Sequence, residues 1–299
     1  MQNNFKNFLY HYTGTVFLIL NCIRHKLFGY RTPRPFSIKE IERSINYDFS
    51  IVDNWMDTLH CYTKEKNLIK DKVVLELGPG QDLGTGLILL AIGIQKYIAL
   101  DVNELAHATL FEFYNKLYEQ IKNRYANSDI EYLKEQLIKC YNNENSNLSY
   151  IVDKNFEFTK IKNKIDIVFS HAAFEHFSDI EKTIKELSSV VKPGGYLIAE
   201  IDLHTHTRWI ERKDPLNIYR YSDFLWNLFK FKGSPNRIRP FEYKNILENN
   251  GWTSIKIAPF AILEEEYFKN VLHSLNHKFR HMDPQEMRLR AIMLMAKKK

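Results

Sequence analysis

The sequence predicts an α/β fold, a largely parallel sheet covered by helices on both faces. Three observations carry this. Val73-Val74-Leu75-Glu76-Leu77-Gly78-Pro79-Gly80 reads as a buried strand, a glycine-rich turn and a helix start. A second apolar run, Tyr97-Ile98-Ala99-Leu100, ends at Asp101. Further apolar runs alternate with segments of helical period, as repeated βα units require.

The elements follow in order. Residues 1–35 form an arm with Lys6, Arg24, Lys26, Arg31 and Arg34 and no acid. Arg31-Thr32-Pro33-Arg34-Pro35 punctuates its end, because nearby prolines discourage a continuing helix. A single domain spans residues 36–299. Ser37 with Glu40 is a capping-box signature, and an amphipathic segment follows over about residues 51 to 66. After Gly80, residues 83 to 93 should be the helix facing the ligand. Residues 104 to 140 read as two helices, and residues 142–147 as a polar loop. Residues 149–152 form a third strand ending at Asp153, and 165–169 a fourth. Ser178 with Glu181 suggests another capping box, with Ile180, Ile184, Leu187 and Val191 at helical period. Pro193-Gly194-Gly195 stops that helix, and a fifth strand runs over 196–201. Residues 203–245 are aromatic, basic and irregular, an inserted substrate cover. Residues 251–257 and 289–295 are the last strands, expected to pair as an antiparallel hairpin-like unit at the sheet edge.

Composition narrows the function. Apolar content of 44% and aromatic content of 14% in 299 residues support a substantial core and argue against extensive disorder. Of the net charge of +6, the arm carries +5, which leaves the main domain near neutral and without the basic face that nucleic-acid binding needs. Cys22, Cys61 and Cys140 make no metal-ligand spacing and no disulfide framework, so a reducing cytoplasm is the expected compartment. The uncharged stretch from Asn7 to Ile23 is shorter than the ~20 apolar residues of a spanning helix. Two readings of the arm are open: a peripheral helix on the inner membrane face through residues 5–30, or a helix docked on the domain or on a second copy. The oligomeric state is not legible.

The glycine turn carries chemistry. A dinucleotide site needs a third glycine where the chain has Leu83, and Glu76 beside the turn opposes a pyrophosphate by like-charge repulsion. A cationic sulfonium with an amino-acid tail suits it, and Asp101 suits ribose hydroxyls. With Glu76–Gly80 and Tyr97–Asp101, two further segments complete a set: Asp166–Ser170 leading into Phe174-Glu175-His176, and Lys192–Leu197. These resemble class I S-adenosylmethionine (SAM)-dependent methyltransferases of the small-molecule, type 11-like branch, over about residues 70 to 299. The resemblance implies a Rossmann-like seven-stranded sheet of order 3-2-1-4-5-7-6 with strand 7 antiparallel. It implies that Gly78 and Gly80 pack under the methionine part of SAM, that Asp101 holds the ribose and that Asp153 meets the adenine. Glu76 and Ser170 complete the cofactor set.

Methyl transfer to a hydroxyl needs a proton acceptor, and His171, His176, His204 and His206 lie on strand-end loops. His206 is the expected base with Asp202 orienting it, and His176 is the third catalytic candidate. Asp202, His204 and His206 also suit a divalent ion, although no metal is assigned. Phe174–Phe177 is similar to a stretch of cyclopropane-forming lipid methyltransferases, whose glutamate supports the active site. The cover, with Asn217–Ser222, Trp226 and Asn236–Arg239, resembles methyltransferases encoded with surface-polysaccharide genes. It departs from them at Ala199 and Thr205, where those tend to carry a histidine and an acid. Tyr219, Tyr221 and Trp226 offer flat faces to a sugar ring, while Arg237 and Arg239 suit phosphate or carboxylate, and His204 joins them as an acceptor contact. The expected activity is O-methylation of a sugar or surface-glycan precursor. Methylation of a lipid or quinone head group is the second enzyme reading. A non-catalytic SAM-fold binding or assembly subunit is the reading of another class.

Overall fold

The structure, a computed structural model, describes residues 2–29, 36–65 and 67–299. Seven strands form one sheet: β1 (Val73–Leu77), β2 (Lys96–Asp101), β3 (Leu148–Val152), β4 (Ile165–His171), β5 (Val191–Asp202), β6 (Trp252–Ile262) and β7 (Leu289–Lys298). Their order is β3-β2-β1-β4-β5-β7-β6. The first five strands pair in parallel, and β7 runs antiparallel to both β5 and β6. The central strand β1 is buried at every position, which is why its sequence is a continuous apolar run broken only by Glu76.

Helices cover both faces. One face packs on α2 (Ile41–Thr63), α3 (Gly84–Ala91), α4 (Phe111–Arg124) and α5 (Ile130–Tyr141), with Trp55 stacked on Phe169 at 4.7 Å between ring centroids. The other face packs on α6 (Ile180–Val190) and, beyond the short α7 (Arg208–Glu211) and α8 (Asp223–Phe229), on α9 (Pro240–Asn249). Every side chain of α3 from Gly84 to Leu90 is buried, so this helix is apolar all round and lies inside the domain.

Several boundaries differ from expectation for local reasons. Glu40 accepts from the Ser37 amide at 2.8 Å, but the helix this opens runs unbroken to Thr63 and absorbs the separate amphipathic segment. The cap of α6 is Asp179, which accepts from the Lys182 amide, and not Ser178. The last two strands are no hairpin. Residues 263–288 separate them and carry α10 (Glu265–Val271), α11 (His277–Arg280) and α12 (Pro284–Met287).

That connection completes the substrate cover. Leu18 of the arm, residues 216–226 and residues 263–287 share one apolar cluster that includes Tyr219, Tyr221, Trp226, Phe268 and Phe279. The arm is a helix, α1 (Gln2–Phe28), docked on this cover through one face. Asn217 donates to the Tyr10 carbonyl at 3.0 Å, and Asn7 donates to the Asn270 carbonyl at 2.7 Å. Gly14 permits the approach, since a Cβ there would collide with the Tyr221 hydroxyl and the Asn217 amide. The opposite face exposes Phe5, Phe8, Tyr12, Leu20, Ile23 and Leu27. Among the described residues no helix is long and apolar enough to cross a membrane. The proline-rich end of the arm lies outside the described residues.

A fully buried ion pair ties the three pieces of the cover together. Arg220 donates through Nε and Nη2 to the two oxygens of Asp214 at 2.8 and 2.9 Å. Tyr267 and Asn217 also donate to Asp214, at 2.7 Å each, and Arg220 reaches Asn7 of α1 at 3.0 Å. Removing one partner strands a buried charge. Asp214→Ala is expected to cost about 3–5 kcal/mol, read as a lower midpoint in urea unfolding. Limited proteolysis should show earlier cleavage within α1.

Candidate functional site

The loops at the carboxyl ends of β1, β2, β3 and β4 meet at one cavity of about 1360 Å³. At one end lies the glycine turn. Gly78 and Gly80 both have positive φ, near 75° and 80°, and a Cβ at Gly78 would stand 2.7 Å from the Ala173 side chain. The Gly78 amide donates to the Leu100 carbonyl at 2.9 Å, which binds the turn to the end of β2. Gly78, Gly80 and Asp101 all line the cavity, as the sequence suggested. Asp101 accepts from the Asn103 amide at 2.9 Å and the Gly80 amide at 3.4 Å. Burial raises its pKa.

Glu76 is placed differently from expectation. Strand alternation turns it beneath the turn and away from the cavity, where it accepts from Thr85 at 2.7 Å and Tyr97 at 2.5 Å. Burial pushes its pKa up to about 7. Asp82 and Asp48 of α2 are also buried under the same turn, and burial raises both, Asp82 to about 6. Three carboxyl groups therefore lie buried below the turn.

Two other cofactor candidates serve the backbone. Ser170 is completely buried and donates to the Leu77 carbonyl at 3.1 Å, fixing β4 to β1. Asp153 accepts from the Asn155 and Glu157 amides at 2.9 and 3.2 Å and pairs with Lys160 at 2.9 Å. The Lys160 ammonium and these amides hold its pKa low. It shapes the loop whose residues 154–157 line the cavity, but its own carboxylate is not on the wall.

The histidines do converge. His176 lines the cavity; its Nδ1 donates to the Gly233 carbonyl at 2.7 Å, which leaves Nε2 with a lone pair. His206 stacks edge-on behind it with centroids 5.0 Å apart, and His204 lies 5.2 Å from His206. Asp202 is 3.8 Å from His206 Nε2 and 3.6 Å from His204 Nδ1, so the expected pairing of Asp202 with His206 is a loose one. The second His204 nitrogen meets Glu211 at 3.3 Å. Glu175, which was not among the sequence-assigned site residues, sits 3.9 Å from His176 Nε2 and is 1% exposed. Neither of its oxygens has a hydrogen-bond partner, nor does His206 Nε2. Burial and the Asp202 carboxylate raise the Glu175 pKa against a smaller pull from the backbone amides of Glu175 and Asp202. Burial lowers both His176 and His206, so both rings are neutral near pH 7. His171, the fourth histidine, is held apart between Glu200 at 3.2 Å and the Tyr47 hydroxyl at 2.6 Å.

Most cover residues expected to touch an acceptor build the cover instead. Tyr221 is buried against α1 and donates to Asn217. Tyr219 donates to the Leu203 carbonyl at 2.9 Å. Arg239 is completely buried and donates to the Leu203 and Leu289 carbonyls and to the Glu286 carbonyl, so its charge is spent on backbone carbonyls. His204 is likewise buried off the cavity. Trp226 and Arg237 do reach the wall, although Arg237 spends its donors on Ile218, Tyr221 and Asp223. The cavity lining is also rich in lysine in a way the cover pattern did not reveal, with Lys26 of the arm, Lys154, Lys182, Lys230, Lys232 and Lys278.

The chain matches the family model described as a methyltransferase domain over residues 54–257. Among curated proteins, none matches the chain significantly. Among solved structures, the chain is similar to the YcgJ protein from Bacillus subtilis, at 14% identity and a TM-score of 0.44, covering 84% of this chain and 99% of that one. It is also similar to an S-adenosylmethionine-dependent methyltransferase from Mesorhizobium loti, at 12% identity and a TM-score of 0.42, covering 77% and 93%. A third likeness is to phosphoethanolamine N-methyltransferase 2 from Haemonchus contortus in complex with S-adenosyl-L-methionine, at 13% and 0.45, covering 92% and 55%. Likeness at this level says nothing of substrate.

Asp101 and Asp153 separate experimentally. Asp101→Ala should weaken SAM binding by about ten- to a hundredfold, the loss of hydrogen bonds to an ionised acceptor. Asp153→Ala should leave it within about threefold, both read by isothermal titration calorimetry.

Proposed function

The chain belongs to the methyltransferase family, and from that premise we propose that it moves the methyl group of SAM to a hydroxyl of a sugar-type acceptor bearing a negative group. The observation that carries this reading is the layout of a single cavity. Its glycine turn and Asp101 suit the donor, the wall at His176 opens onto buried histidines and carboxylates, and its lining carries six lysines.

The methyl carbon is already activated by the positive sulfur, so the protein's work is alignment and proton removal. In the transfer, the acceptor oxygen bonds to the methyl carbon as the sulfur–carbon bond breaks. The electron pair returns to sulfur and leaves an uncharged thioether. The hydroxyl proton passes to the histidine–carboxylate cluster. The donor loses its positive charge in the step, so its attraction to the Asp101 carboxylate on the cavity wall falls, which favours release of the spent donor.

The cavity exceeds the 300–1,000 Å³ of a usual small-molecule site, which leaves room for an acceptor beside the donor. Trp226 offers an aromatic wall, and the lysines suit a phosphate or carboxylate carried by a glycan precursor. Methylation of a lipid head group is the second reading, favoured by the outward apolar face of α1 at the cavity mouth. The arm and the cover together support a site of action at the cytoplasmic membrane surface.

Incubation with SAM and a panel of phosphorylated and nucleotide-linked sugars, read by mass spectrometry for one added methyl group, tests the acceptor class. Exclusive methylation of lipid head groups would overturn it. Lys230→Glu with Lys232→Glu should raise the KM for an anionic acceptor about tenfold or more and leave SAM affinity within about twofold.

A further inference from the structure

We propose that Glu175, His176 and His206 bind a divalent transition-metal ion, with Asp202 and His204 as the adjoining pair. One ligand atom from each of Glu175, His176 and His206 lies within 4.8 Å of the others, and the same holds for Asp202, His204 and His206. Ligand atoms around such an ion stand roughly 3 Å apart, so side-chain rotations of about 1–2 Å close the set. Three features point to an ion and not to packing alone. The Glu175 carboxylate is buried with both oxygens unpartnered, and His206 Nε2 is unpartnered beside it. His176 is oriented by its Nδ1–Gly233 bond, so that Nε2 faces the cluster, the usual arrangement behind a metal-ligating imidazole. Glu175, Asp202 and Glu200 gather at the ends of β4 and β5; among the described residues none of them forms a salt bridge with a lysine or arginine, Arg290 acting on Asp202 only from farther off, whereas a dication offsets such a concentration of acid.

Imidazole and carboxylate ligands together suit zinc, manganese, iron, cobalt or nickel. The inference rests on the methyl-transfer reading, because His176 places the ion at the cavity wall where the acceptor hydroxyl would lie. The ion would lower the hydroxyl's pKa, and Asp202, 3.8 Å from His206, stands ready to take the proton.

The full chain, stripped with a chelator, is titrated with manganese and with zinc by calorimetry, while SAM affinity is measured on the same sample. One equivalent should bind, and Glu175→Gln and His206→Ala should each weaken it by about ten- to a hundredfold. Cobalt should give a visible absorption band that excess zinc removes, a readout that needs no variant. Absence of both the heat and the band in protein that still binds SAM overturns the metal site and leaves the methyltransferase reading standing. Failure to bind SAM counts against that reading instead.

A separate observation concerns α1. Phe5, Leu9, Tyr12, Val16, Leu20, Ile23 and Leu27 recur at helical spacing on the face opposite the docked one, and all are exposed. Lys6 and Arg24 flank this stripe on one side and Lys26 on the other, and the helix has no acid. We infer that this face lies on an anionic bilayer, its apolar stripe entering the headgroup boundary with the cations at the lipid phosphates. Sedimentation with vesicles containing phosphatidylglycerol should exceed that with phosphatidylcholine alone and fall with salt. Val16→Glu with Leu20→Glu should abolish it while circular dichroism stays unchanged. Equal binding to neutral vesicles, or a dimer in analytical ultracentrifugation that the same substitutions dissolve, overturns the inference.

Discussion

The Asp214–Arg220 pair is the constraint on which the far half of the site depends. Two charges withdrawn completely from water are tolerated only where every remaining donor and acceptor is engaged. Here Tyr267, Asn217 and Asn7 supply those partners from three distant parts of the chain. The same pieces bring Trp226, the lysines at 230 and 232, and the end of the arm to one wall. The donor end needs no such device, since the sheet itself presents the glycine turn and Asp101.

The cavity is lined by both signs of charge, lysines at 26, 154, 182, 230, 232 and 278 with acids at 101, 157, 179, 186 and 223, while Asp48, Glu76 and Asp82 are buried under the glycine turn.

The sheet was legible because its central strands are buried on both faces and read as unbroken apolar runs, and the glycine turn with Asp101 because their spacing is local. The cover was not legible. Tyr219, Tyr221 and Arg239 have the residue types of a sugar-phosphate site, yet the structure uses them as internal struts. Nothing local distinguishes an arginine reaching for phosphate from one feeding buried carbonyls, because the carbonyls belong to residues far along the chain. Glu76 shows a subtler limit: its position was right, but strand alternation decides which side of the turn it serves. Glu175 was visible as the middle of Phe174-Glu175-His176, and only the lack of a close hydrogen-bond partner for either oxygen among the described residues marks it out. The last two strands pair antiparallel at the sheet edge as expected, but not as a hairpin, because their connection over residues 263–288 carries part of the cover.

His25, Lys26 and Gly29 close one side of the cavity from the last turn of α1, and His25 stacks on Phe231 at 3.9 Å. A form shortened by removing α1 would therefore not be a smaller version of the same catalyst. It would lose a wall, uncover Tyr221, and meet its substrates in a room open to bulk solvent.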